Sequence, residues 1–86
     1  MYIVSYDISD DKERNAVFKK LGNYGERVQK SVWTCDIDYR AIEKLKKELE
    51  QMNIESGNIQ IWLVKNSVCT IGAEETLPKR SWAHFL

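Results

Sequence analysis

Asp7 is the residue whose position best suits a chemical function, because it is a carboxylate inside the otherwise mostly apolar run MYIVSYDI. An acid near the carboxyl end of a strand can end the strand, cap the next helix or pair with an arginine. It can also bind a divalent cation, since Mg²⁺ takes oxygen ligands and needs only one or two carboxylates from the protein. A twofold dimer would supply the second carboxylate by bringing two copies of Asp7 together.

Arg14, Arg27 and Lys30 are the basic residues best placed in the sequence to contact a polyanion beside Asp7. They flank the first predicted helix start and the first predicted hairpin, where they could approach a phosphate backbone. The whole chain carries 13 Lys and Arg against 13 Asp and Glu. Because the net charge is near zero, overall charge predicts neither nucleic-acid nor membrane binding, and phosphate contacts must come from a local patch.

Other kinds of catalytic chemistry find little support in the residue types. Ser31 could act as a nucleophile, but the single histidine, His84, lies two residues from the end of the sequence, which argues against a serine–histidine pair. Cys35 and Cys69 lack metal-ligand spacing and predict core thiols in a reducing compartment. With no apolar run of about 18 residues and no signal-peptide pattern, we expect a cytoplasmic protein with no membrane partner.

The element that must position Asp7 is a first strand over residues 1–8. Its side chains alternate between a face that becomes polar at Asp7 and a wholly apolar face formed by Tyr2, Val4, Tyr6 and Ile8. A helix is predicted to follow, because Asp10 and Glu13 have capping-box spacing. The apolar stripe of this helix consists of Val17, Phe18 and Leu21. Gly22 and Gly25 then mark its end.

The rest of the chain predicts a hairpin, a second helix and further strands. RVQKSVWTCDI (27–37) contains two strand-like segments around a polar bend, and Asp36 or Asp38 then caps a helix. That helix carries an apolar stripe of Ile42, Leu45, Leu49 and Met52. NIQIWLV (58–64) reads as a strand, and SWAHFL (81–86) as a short terminal strand.

This order predicts a single α+β domain over 1–86, with 65–86 as a C-terminal loop and strand extension. The arrangement is a ferredoxin-like βαββαβ antiparallel sheet with both helices on one face and an extra short C-terminal strand. The other face of the sheet is predicted to be partly covered, because large apolar side chains are assigned to it: Trp33, Trp62, Met1 and Ile3. The extra C-terminal strand and a second copy of the chain are the available covers, and from this we expect a homodimer.

Two stretches of the sequence carry a resemblance to a known family, namely MYIVSYDISDDKERN and GERVQKSVWTCDID. Through them, residues 1–64 resemble the second CRISPR-associated (Cas) protein family. The resemblance implies a ferredoxin-like homodimer and a magnesium-dependent endonuclease, that is, a phosphodiester hydrolase acting on RNA or DNA. It makes Asp7 the catalytic residue and the ligand of a Mg²⁺ ion shared between protomers. It also implies a part in spacer acquisition beside the Cas-one integrase.

Under the nuclease interpretation, Arg14, Arg27 and Lys30 would position the nucleic-acid backbone without reading bases. Their neighbours Tyr6, Ser9 and Ser31 would support the site. A non-catalytic interpretation makes the dimer an architectural DNA-binding bridge in the integrase complex. A third makes the chain a toxin-like messenger RNA nuclease of the same fold.

Overall fold

This computed structural model describes residues 1–65 and 71–72, which contain four strands and two helices. Their order is β1 (Tyr2–Ile8), α1 (Asp11–Leu21), β2 (Glu26–Gln29), β3 (Val32–Cys35), α2 (Tyr39–Glu50) and β4 (Gly57–Leu63). All strand pairs are antiparallel, in the spatial order β2-β3-β1-β4. The predicted α+β arrangement is confirmed, whereas the terminal strand over 81–86 lies outside the described residues.

The core lies between one face of the sheet and both helices. The predicted apolar face of β1 supplies Val4, Tyr6 and Ile8, which are all buried. They form one cluster with helix residues Val17, Leu21, Ile42, Leu45 and Leu49. Because both helices join this one cluster, no helix within residues 1–65 covers the opposite face of the sheet. We call it the open face; along β1 it carries Ile3, Ser5 and Asp7.

The helix boundaries follow the predicted capping signals closely. The Asp10 side chain accepts a hydrogen bond from the Glu13 amide at 2.9 Å, and Asp38, rather than Asp36, does the same for Ala41 at 2.8 Å. In the apolar stripe of α1, Phe18 departs from the prediction, since it is 40% exposed. Similarly, Met52 lies beyond the end of α2 at Glu50 and packs against the core only partly buried.

The open face differs from the sequence prediction in the position of Trp33. Trp33 is paired with Val4 in the β1–β3 ladder, so its side chain shares the helix-covered face. There its ring meets Phe18 edge-on, with 5.3 Å between ring centroids. The prediction that Trp33 helps to cover the other face is therefore wrong, while Trp62, paired with Ile3, does lie on the open face and is 47% exposed.

Within the described residues, no helix has the length and apolarity to span a bilayer.

Candidate active site

Asp7 projects from the open face near the carboxyl end of β1. Its neighbours Tyr6 and Ile8 are both 4% exposed in the core, so strand alternation turns the Asp7 side chain to the opposite, exposed side. Asn58 of β4 is its ladder partner and shares that face. Among the described residues, the Asp7 carboxylate makes no hydrogen bond or ion pair.

The three other carboxylates close to Asp7 in sequence all have partners. Asp10 caps α1, and Asp11 pairs with Arg14. Glu13 accepts hydrogen bonds from the loop before β4. Asp7 therefore neither caps the helix nor pairs with an arginine in the described structure, which removes two of the structural interpretations open at the sequence level.

Arg14 lies directly beside the backbone that follows Asp7. Its Nη1 donates to the carbonyl oxygens of Ile8 at 3.0 Å and Ser9 at 3.3 Å, while Nη2 binds Asp11. These contacts fix the end of β1. The Arg14 side chain as a whole is 39% exposed, so it is partly accessible to solvent while both terminal nitrogens are hydrogen-bonded.

The hairpin turn at Lys30 and Ser31 also lies at the Asp7 end of β1. The Tyr6 amide donates to the Ser31 carbonyl at 3.1 Å, and the Tyr6 hydroxyl donates to the Lys30 carbonyl at 3.4 Å. Tyr6 thus joins the turn to β1, and the exposed Lys30 extends from that turn. The basic residues Arg14 and Lys30 therefore lie at the same end of the sheet as Asp7. The predicted supporting residues Tyr6 and Ser31 lie there as well.

Arg27 is placed differently from the other basic candidates. It pairs with Trp33, which puts it on the helix-covered face, and its guanidinium carbon lies 5.1 Å from the Phe18 ring centroid. This is cation–π geometry. Arg27 and Asp7 therefore lie on opposite faces of the sheet, so this arrangement does not bring them together around one phosphate.

Ser56, which the sequence analysis did not single out, completes the capping box of α1. In the standard motif the Glu at the third helical position reaches back to the amide of the capping residue. Here the Asp10 amide donates to Ser56 Oγ at 2.9 Å, and Ser56 Oγ donates to Glu13 Oε1 at 2.6 Å. The carboxylate also accepts from the Glu55 amide at 3.1 Å and the Ser56 amide at 3.0 Å.

These hydrogen bonds stabilise the ionised form of Glu13. The Ser56 hydroxyl lowers the pKa of Glu13 most, and the Glu55 and Ser56 amides lower it further. Ser9, a predicted supporting residue, joins the same group, because its amide and hydroxyl both donate to the Ser56 carbonyl at 3.1 Å. The capping-box spacing reveals Glu13 in the sequence, but no local pattern connects it with a serine more than forty residues away.

The oxygen donors on the open face suit Mg²⁺ chemically. The Asp7 carboxylate and the adjacent Asn58 amide are hard ligands, and Mg²⁺ usually keeps several waters beside one or two carboxylates. No cluster of three or more His, Cys, Asp or Glu residues occurs within 1–65 and 71–72. Asp7 and Asn58 are thus two neighbouring oxygen donors, and a Mg²⁺ ion held there would need its remaining ligands from water or from a second chain.

Cys35 is not a candidate nucleophile. It is fully buried, and this burial raises the pKa of the Cys35 thiol to about 11. The reactive thiolate is therefore scarce near neutral pH. Cys69, the other cysteine, lies outside the described residues.

The fold and this end of the sheet define a class: a small ferredoxin-like α+β protein with a lone exposed carboxylate at the end of its first strand. Residues 1–68 match the family of the CRISPR associated protein Cas2. The chain belongs to that family.

Named relatives and solved structures agree with this assignment. The chain is 36% identical over 73 residues to "CRISPR-associated endonuclease Cas2 2" of Thermus thermophilus, covering 84% of this chain and 81% of the relative. It is 41% identical over 51 residues to "CRISPR-associated endoribonuclease Cas2 1" of Chloroflexus aurantiacus, but this match spans only 59% of this chain and 55% of that protein.

Two crystal structures extend the comparison to three dimensions. The hypothetical protein TT1823 from Thermus thermophilus superposes with a TM-score of 0.79 at 34% identity, covering 87% of this chain and 93% of its own. Streptococcus pyogenes Cas2, crystallised at pH 6.5, superposes with a TM-score of 0.66 at 28% identity, covering 73% and 83% respectively.

Proposed function

We propose that the chain is a metal-dependent endonuclease of a CRISPR system, acting as a homodimer in which the two Asp7 carboxylates bind a shared Mg²⁺ ion. The observation that carries the proposal is that Asp7 is exposed without a partner in the described structure, whereas Asp10, Asp11 and Glu13 are all engaged. The names of the relatives, endonuclease and endoribonuclease, support a nuclease activity.

Each residue at this end of the sheet has a role in the proposal. Mg²⁺ at Asp7, when bound, would supply charge stabilisation for the attacked phosphate and activate water. Asn58 is placed to hydrogen-bond to a water or a phosphate oxygen beside Asp7. Lys30 contacts the nucleic-acid backbone as a mobile point charge, and Arg14 holds the strand end in place.

The dimer is proposed from the open face. Trp62 is 47% exposed there beside the half-buried Ile3, so a second copy would bury apolar surface that one chain leaves in water. An isologous interface places equivalent residues opposite each other, which is how one Asp7 per chain becomes a pair. A part in spacer acquisition with the Cas-one integrase belongs to the same proposal, and co-purification of the two proteins tests it.

Cleavage assays on matched RNA and DNA test the nuclease. Wild-type protein should cleave with Mg²⁺ and not with EDTA, and both Asp7→Ala and Asp7→Asn should remove this activity while leaving the far-ultraviolet circular dichroism unchanged. Asp36→Asn is the matched control, because Asp36 is also exposed but follows β3 at the opposite end of the sheet. Undiminished cleavage by the Asp7 variants would show that Asp7 is not the catalytic residue.

Nucleic-acid binding at varied salt tests the basic residues. Lys30→Gln should weaken binding to all sequences alike and reduce the salt slope by about 1, the effect of losing one phosphate contact. Arg27→Gln should change affinity less, because Arg27 stacks on Phe18 away from Asp7. The opposite ranking would mean that the nucleic acid crosses the helix-covered side.

A further inference from the structure

The loop before β4 is joined to the start of α1 by a group of polar contacts that the proposed reaction does not itself use. Ser56 contributes its hydroxyl, amide and carbonyl groups, and each is hydrogen-bonded. The hydroxyl and amide contact Glu13, the hydroxyl also accepts from the Asp10 amide, and the carbonyl accepts from Ser9. A single serine therefore joins α1, the segment after β1 and the segment before β4.

The contact continues from Ser56 to the backbone of Asp7 through Gly57. A Cβ atom on Gly57 would lie 1.7 Å from the Asp7 carbonyl oxygen and 2.9 Å from the Ile8 Cα, so the two strands are in close contact here. Asn58, the next residue, is the ladder partner of Asp7. A shift of Ser56 consequently moves the strand that lies against Asp7.

We propose that Ser56 and Glu13 form a positioning pair for Asp7 and set the orientation of its carboxylate toward the metal without contacting the metal themselves. The inference rests on the proposed metal site at Asp7. Polar groups behind a ligand restrict its orientation, and their loss typically costs about 10- to 100-fold in metal affinity. Here the restriction passes through the backbone, because Asp7 is held from its main-chain side while its carboxylate remains free.

The test measures binding of Mn²⁺, used as a probe for Mg²⁺, to the metal-free full-length protein by isothermal titration calorimetry. Ser56→Ala removes the hydroxyl but keeps both backbone contacts, and Glu13→Gln removes the charge but keeps the shape. Both should weaken Mn²⁺ binding by about 10-fold or more. Ser56→Thr retains the hydroxyl and should restore near wild-type affinity. In the absence of metal, Ser56→Ala should shift the amide resonances of Asp7 and Asn58.

Tyr24→Phe is the matched control for general destabilisation. It also removes a hydroxyl hydrogen-bonded to a carboxylate, that of Glu48, but Tyr24 precedes β2 at the other end of the sheet. It should leave Mn²⁺ affinity unchanged. Equal losses in Tyr24→Phe and Ser56→Ala would overturn the inference, because the effect would then be one of stability.

The outcomes also separate this inference from the proposed function. Mn²⁺ binding that is lost in Asp7→Asn but unchanged in Ser56→Ala would refute the positioning pair and leave the metal site standing. Wild-type protein with no Asp7-dependent binding would refute both. Asp7-dependent binding that weakens in Ser56→Ala and recovers in Ser56→Thr supports both.

Discussion

Replacement of Gly57 by alanine should separate β1 from β4 at the Asp7 end of the sheet. The added Cβ would lie 1.7 Å from the Asp7 carbonyl oxygen, about half the 3.4 Å at which ordinary contact begins. The obstruction is backbone, so no side-chain rotation relieves it. Gly57 does not have a positive φ, and the expected effect is therefore purely steric.

The size of the effect follows from what must move. Overpacking at a closely packed position costs about 1–3 kcal/mol. Separating the strands also weakens ladder hydrogen bonds at this end, each contributing a net ~0.5–1.5 kcal/mol. We expect Gly57→Ala to lower the free energy of unfolding by about 2–4 kcal/mol, a large part of the ~5–15 kcal/mol typical of a folded domain.

Urea denaturation at fixed protein concentration measures this loss. With a slope of about 1 kcal/mol per molar urea for a protein of this size, the midpoint should fall by roughly 2 M or more. Gly22→Ala is the control, because its Cβ would meet its nearest atom, the Lys19 carbonyl oxygen, at 3.4 Å and its φ is −59°. That variant should be unchanged or more stable by about 0.4–1 kcal/mol. Equal midpoints for Gly57→Ala and wild type would refute the close strand contact.

Three further predictions concern the core and its edges. The Tyr24 hydroxyl lowers the pKa of Glu48 below its ordinary 4.5, so this contact stabilises the fold above that pH and is lost on acidification; in urea denaturation, Tyr24→Phe should be less stable than wild type near neutral pH, with the difference narrowing at about pH 3. In a Cys69→Ser background, Cys35 should resist Ellman's reagent at about pH 8 until the protein is denatured, because burial raises the pKa of its thiol to about 11; rapid labelling of the folded protein would contradict its burial. Leu45 is fully buried, so Leu45→Ala should cost about 2–5 kcal/mol in the same denaturation assay.

The elements of the fold were predictable because their signals are local. Alternation places Val4, Tyr6 and Ile8 in the core, and the spacing of Asp10 and Glu13 marks the start of α1. Both follow from the geometry of one element and need no knowledge of distant parts of the chain. The order of elements then limits the topology to a few arrangements.

What the sequence could not supply was the register between strands. Trp33 follows Val32 in a short strand, and no local signal decides which of these two side chains points toward the helices. The pairing of Trp33 with Val4 decides it. The same pairing carries Arg27 to the face away from Asp7. Ser56 was missed for a related reason, because its partners lie in α1 and the segment before it.

The separation of Asp7 from its acidic neighbours also follows from the geometry of the strand. Asp10 and Glu13 lie at the start of α1, where orphan amides and the helix dipole stabilise negative charge. Asp7 precedes Asp10 by only three residues, yet the twofold period of β1 turns it to the open face. Because α1 packs on the other side of the sheet, its amides do not reach the Asp7 carboxylate. The acids that follow β1 thus stabilise the start of α1, whereas the Asp7 carboxylate stays on the open face with no partner among the described residues.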